Sequence, residues 1–177
     1  IPFRNPEASV SMTLERTSMR NLLRNTYYLR MSAEQFSFLQ VESGRLVSQP
    51  PLLAWRSVGH KRQPLAAGDA ALAMAGQDGV SLGNGFQHPR TLLADFSIAE
   101  TTLKLLLQLP PVLILHPQTH LEGGLTQIEI RALAELALSA GAKRVYVWVG
   151  AALSPSSLAR LEFPQNDGQL LYPEVSP

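Results

Sequence analysis

The chain has 177 residues, 45% of them hydrophobic, which is enough for one buried core and too few for two large domains. It contains no cysteine, which excludes disulfides, thiolate nucleophiles and cysteine-based zinc or iron–sulfur sites, and fits a reducing, cytoplasmic setting. The net charge is only +1, yet residues 1 to 62 carry nine Lys/Arg against four Glu, and residues 63 to 177 six against ten Asp/Glu.

The opening IPFRNPEASVS has two prolines and no periodicity, and Met12 offers an alternative start, so it is set aside from the fold. From Met12 to Asn25, Met12, Leu14, Met19, Leu22 and Leu23 share one helical face, with Arg16, Arg20 and Arg24 in a stripe opposite. This pattern predicts a basic amphipathic helix within an N-terminal segment, residues 1 to 25.

TYYLRMS and QFSFLQVE alternate apolar and polar residues, and GRLVSQPPLLAW continues the alternation after Gly44, which predicts a three-stranded antiparallel meander. A polar stretch, RSVGHKRQP, leads to a short Ala-rich helix in LAAGDAALAMAG and a glycine-rich loop, QDGVSLGNGFQHP. Residues 56 to 93 therefore read as an insertion.

In DFSIAETTLKLLLQL, Ser97 and Glu100 form a predicted capping box and Leu103, Leu106 and Leu107 a buried stripe. VLILH and RVYVWV are apolar runs suited to strands covered on both faces, separated by a helix between Gly123 and Gly141. AALSPSSLARLEF suits a short helix with Ser154 as N-cap and Pro155 at its first position. Residues 164 to 177 read as an irregular tail. No apolar run reaches a membrane-spanning length, since TLKLLLQLPPVLILHP is split by Pro110 and Pro111.

A three-stranded meander, an insertion and then αβαβ is an α/β, ribonuclease H-like layout of the actin type, over residues 26 to 163. Specific segments resemble the first half of the bacterial actin family MreB. LTQIEIRALAELALSAGAKRVYVW resembles that family's TQVERRAI helix and GAREVFLI strand. GDAALAMAGQDGVSLGNGFQHPRTLLADF resembles its G-x-x-A-x-x-M-x-G segment ending in ADF, and VESGRLVSQPPLLAW its hairpin arm ending in N-E-P-S-V-V-A. Together these cover residues 27 to 149 in order.

The resemblance implies functional positions, and the departures at them matter. The family's first phosphate loop, D-x-G-T, falls on Arg30, Met31, Ser32 and Ala33, so a cation stands where a magnesium-shell carboxylate is needed and a Cβ where glycine lets backbone approach phosphate. Glu129 aligns with the glutamate near the family's attacking water, but Thr126 and Glu129 also spell a capping box, which is the favoured reading. After RVYVWV the chain reads GAALSPSSLARLEF and closes without the second D-x-G-G-G loop, so the second actin half is expected to be absent.

Other chemistries are poorly supported. His116, His120 and Glu122 could be read as a metal cluster, but Pro117 breaks helical spacing and an exposed turn is expected. The glycines of GQDGVSLGNG lack the Gly-Lys-Ser/Thr of a P-loop, and the arginine stripe lacks the interleaved aromatics of a nucleic-acid surface. The sequence-based expectation is a non-catalytic MreB-like domain with no cofactor and no bound metal, acting through a protein partner such as MreB or cell-envelope components. Arg16, Met19, Arg20, Leu22, Leu23 and Arg24 are its candidate membrane or partner surface, at the inner-membrane face of the cytoplasm. The alternatives are a self-associating scaffold, a homodimer included, a membrane-surface adaptor, and a fragment of an actin-like ATPase.

Overall fold

The computed structural model describes residues 25 to 107 and 110 to 174. The segment expected to form an N-terminal helix, with its six candidate surface residues between Arg16 and Arg24, lies outside them.

Alternating side chains set the main sheet. In β1 (Thr26–Met31), Leu29 and Met31 face one side and Tyr28 the other, and both sides are covered, so the strand is buried front and back. It pairs antiparallel with β2 (Phe36–Gln40), which pairs with β3 (Arg45–Gln49). The expected meander ends there. Pro50 and Pro51 follow β3, and β4 (Leu53–Val58) departs into a second sheet, pairing with β5 (Lys61–Ala67) and β6 (Ser81–Gly83). Residues expected as a polar stretch and an Ala-rich helix are thus mostly hairpin, and the helix shrinks to a single turn, α1 (Asp69–Leu72). Exposure explains the miss, because much of β4 and β5 lies against solvent and needs no apolar alternation.

α2 (Phe96–Leu106) starts from Asp95, whose carboxylate accepts the Ile98 N–H at 3.0 Å, rather than from the expected Ser97 box. β7 (Val112–Pro117) lies parallel to β1, and β8 (Arg144–Gly150) parallel to β7, with α3 (Gln127–Ser139) as the crossover. α4 (Pro155–Arg160) starts as expected at Ser154, whose hydroxyl accepts the Ser157 N–H at 3.1 Å. The stretch expected to be an irregular tail holds β9 (Gly168–Tyr172), antiparallel to β8. The six-stranded order is β3-β2-β1-β7-β8-β9.

α2 and α3 cover one face of this sheet. Leu29, Met31, Phe36, Leu113, Leu115 and Val147 meet Ala99, Leu103, Leu133 and Leu136 there, and each of the larger side chains removed from water contributes about 1.5–3 kcal/mol. On the other face Tyr28, Ile114 and Trp148 pack with Leu153 and Leu158 of the α4 region. Two backbone approaches hold the periphery. Gly85 lies against the first turn of α2, where a Cβ would strike Asp95 and Ala99, and Gly168 lies against Val149, Gly150 and the Trp148 ring.

Gly168→Ala should therefore detach β9 from β8 at a cost of about 2 kcal/mol or more, because the obstruction is backbone. A thermal melt matching the parent's would refute this account of the edge.

Candidate functional site

In a sheet whose β1, β7 and β8 run parallel, the carboxyl ends of those strands are where a ligand site is sought. β1 ends at Arg30 and Met31, β7 at His116 and Pro117, β8 at Gly150. The four candidate phosphate-loop positions, Arg30, Met31, Ser32 and Ala33, lie at this end, in the last residues of β1 and the turn into β2.

That turn is closed on itself. The Ser32 N–H donates to the Gln35 carbonyl at 3.0 Å, while the Ser32 hydroxyl oxygen accepts the Gln35 N–H at 3.1 Å and the Glu34 N–H at 3.3 Å. Three backbone N–H groups of the turn, those of Ser32, Glu34 and Gln35, are thereby engaged within it. The Ala33 carbonyl accepts from the Asn84 side-chain amide at 2.7 Å, which ties the turn to the segment leaving the second sheet. Arg30 is exposed, and its guanidinium donates to Gln118 Oε1 at 3.0 Å. Met31 is fully buried in the core.

Beneath this surface lies a pair that sequence reasoning missed. His116, expected in an exposed turn, is the penultimate residue of β7 and is 3% exposed. Pro117 made the stretch read as a break, but it occupies the last strand position, where its missing N–H is replaced by that of Gln118 bonding the Met31 carbonyl at 2.8 Å. His116 Nε2 sits 3.1 Å from the Gly150 carbonyl, so it carries the proton and donates. Nδ1 is then an acceptor, and the Tyr28 hydroxyl donates to it at 2.5 Å while accepting the Leu153 N–H at 3.3 Å. Both ring nitrogens are spoken for, so this histidine is not free to join His120 and Glu122 as a metal ligand. Among the described residues no group of three or more His, Asp or Glu could hold a metal ion.

Glu129 caps α3. Its carboxylate accepts the Thr126 N–H and hydroxyl, both at 2.8 Å, and the Thr126 hydroxyl oxygen accepts the Glu129 N–H at 3.2 Å. The capping role of Thr126 and Glu129 therefore accounts for both carboxylate contacts. Beside it lies a small apolar recess of about 180 Å³, lined in part by Leu92, Leu93, Leu125 and Ile128, with no cation near the carboxylate in its lining. Among the described residues no helix is long and apolar enough to cross a membrane.

Two measurements check these assignments. Glu129→Gln should keep the cap and change unfolding free energy in urea by less than about 0.5 kcal/mol, while Thr126→Ala should cost about 1 kcal/mol. Equal losses for both would contradict the cap. The second concerns pH. Burial, aided by the charge of Arg30, pushes His116 below its ordinary value near 6.5, against the opposing hydrogen bond to Gly150. A depressed folded value means that the stabilisation is complete above about 6.5 and lost as pH falls from there through the folded value. The gap in melting temperature between the parent and His116→Gln should accordingly narrow between neutral pH and pH about 5. A gap independent of pH would show that the imidazole is not held neutral.

No family model matches the chain, and no curated protein matches it. Solved structures do. The fold is similar to MreB5 of Spiroplasma citri bound to ADP, with a TM-score of 0.53 and 21% identity, and to the same protein bound to AMPPNP, with 0.53 and 20%. In both, the match covers 71% of this chain and 38% of MreB5, so the chain spans well under half the length of its structural neighbour. The mixed six-stranded sheet, with α2 and α3 on one face, is thus an MreB-like, actin-type half-domain.

Proposed function

We propose that this domain works by binding rather than by hydrolysis, as a non-catalytic MreB-like module of the cell-shape or cell-envelope machinery, with MreB itself as the first partner to test. The observation that carries the reading is the closed Ser32 turn. MreB5 is bound to ADP or AMPPNP in the neighbouring structures, whereas the turn that the sequence resemblance sets at the first phosphate loop here uses its own hydroxyl as the acceptor for backbone donors. Arg30 adds a positive charge where a magnesium ion would need a carboxylate, and a like charge at that spot repels the metal that phosphoryl chemistry depends on. Glu129, the remaining candidate for catalysis, is held by its cap.

An actin-type half-domain that keeps its fold without a working nucleotide loop retains surfaces by which such domains associate, and a cytoplasmic location at the inner-membrane face follows from that role. Association of this kind would cap or tune an MreB filament.

Magnesium–ATP at millimolar concentration should leave the melting temperature unchanged, and sub-stoichiometric amounts of the protein should alter the amount of MreB that pellets as filaments. A nucleotide-dependent rise in melting temperature favours an actin-like ATPase fragment instead. Unaltered MreB pelleting removes MreB as the partner.

A further inference from the structure

Between the C-terminal end of α2 and the outer strands of the large sheet runs an open groove of about 260 Å³ that the core leaves unfilled. Its floor is the sheet itself. Tyr27 lies level with Gln40 and Gln40 with Arg45, so these side chains form a row across β1, β2 and β3, with Phe38 and Val47 in the next row. Leu105 and Leu106 make the wall, and Leu105 is 47% exposed. Gln49 at the far end already accepts the Asp69 N–H at 2.7 Å, and Gln40 accepts the Ser43 hydroxyl. Arg45 is exposed, and no ion pair among the described residues takes it in, so its guanidinium is the unpaired charge of the groove.

The chain enters the sheet beside this groove, because Tyr27 is the second residue of β1. The segment before it, residues 12 to 24, is the one whose periodicity predicts an amphipathic helix, and Glu15 interrupts its apolar face. Met12, Glu15, Met19 and Leu22 follow one another at intervals of three, four and three residues, which is one row of a helix. A carboxylate in an apolar row is costly against lipid or a purely apolar surface and suits one that offers a cation. We propose that this segment docks in the groove of its own chain, crossing β1, β2 and β3 with Leu22 over Tyr27 and Glu15 over Arg45. The spacings agree. Leu22 and Glu15 are seven residues apart, which is about 10 Å along a helix, and Tyr27 and Arg45 are two strand spacings apart, again about 10 Å. Met19 falls over Gln40 between them. Residues 23 to 25 alone join Leu22 to β1, which keeps the helix within reach of the groove. The opposite face of the sheet has Tyr28, Leu39 and Leu46 at that level and no charge in the row to receive Glu15, so the anion selects the face. Docking withdraws Met19 and Leu22 from any other surface and leaves Arg16, Arg20 and Arg24 outward. The contact rests on the groove and the spacing, and holds whether or not the reading of Ser32 does.

The chain has no cysteine, so two introduced ones report the contact cleanly. The full chain carrying Met19→Cys and Gln40→Cys is compared under mild oxidation with one carrying Met19→Cys and Leu46→Cys, by electrophoresis without reductant. The first pair should close an intramolecular disulfide at least about tenfold faster, because Leu46, although 65% exposed, points to the other side of the sheet. Adding Arg45→Glu to the first pair should slow closure several-fold, and adding Glu15→Arg as well should restore it, since the exchanged charges attract again. Restoration separates docking from unfolding, because a domain unfolded by Arg45→Glu is not refolded by a charge at residue 15. Equal rates for the two pairs, no intramolecular disulfide, a disulfide between chains in its place, or no recovery on charge exchange would each overturn the proposal.

Discussion

Two polar groups buried among three strands set the geometry of the domain. The Tyr28 hydroxyl and the His116 imidazole lie in an apolar layer with Ile114, Trp148 and Leu158, where an unpartnered polar atom is costly. Their partners come from separate parts of the chain. The Gly150 carbonyl ends β8, and the Leu153 N–H opens the segment before α4. Only a register that brings the ends of β1, β7 and β8 to one height satisfies the whole set, and the observed register has Arg30 level with His116. The polar link and the apolar packing therefore specify the same arrangement, one by direction and the other by area.

The surface above follows from that register. With β1 and β7 fixed side by side, Arg30 reaches Gln118, and Gln118 closes the end of both strands through its backbone and its side chain. The turn beyond β1 has little freedom left. Its hydroxyl binds its own amides, and its carbonyl is held by Asn84. The Ser32 turn is thus a joint between the large sheet and the segment leaving the small one.

The parts of the fold legible in the sequence were those whose pattern arises from burial. β1, β2, β7 and β8 announce themselves by alternation or by unbroken apolar runs, and α3 by its Thr126–Glu129 cap. What escaped lies at the periphery. β5 carries Pro64 and faces solvent through most of its length, so no period marks it. β9 follows an Asn-Asp-Gly turn and owes its place to two glycines packed against each other, a fit visible only when both strands are present. His116 escaped for a different reason, because a histidine before a proline reads as a turn until the neighbouring strand supplies the partner that buries it. The Ser32 turn satisfies its own donors, which its sequence does not announce.

The contact at Gly85 has a mechanical side. The small sheet passes into α2 through a residue with no room between it and the helix backbone, and Arg62 of that sheet reaches Asp95, the cap of the same helix, at 3.6 Å. The backbone contact leaves that helix end no slack, and the exposed ion pair adds little to it. A force applied to the small sheet, by a neighbouring subunit or any other load, is passed along α2 into the layer of Ala99 and Leu103 that lies against the strands of the large sheet. The domain should respond to such a load as one stiff lever and not as two bodies on a flexible neck.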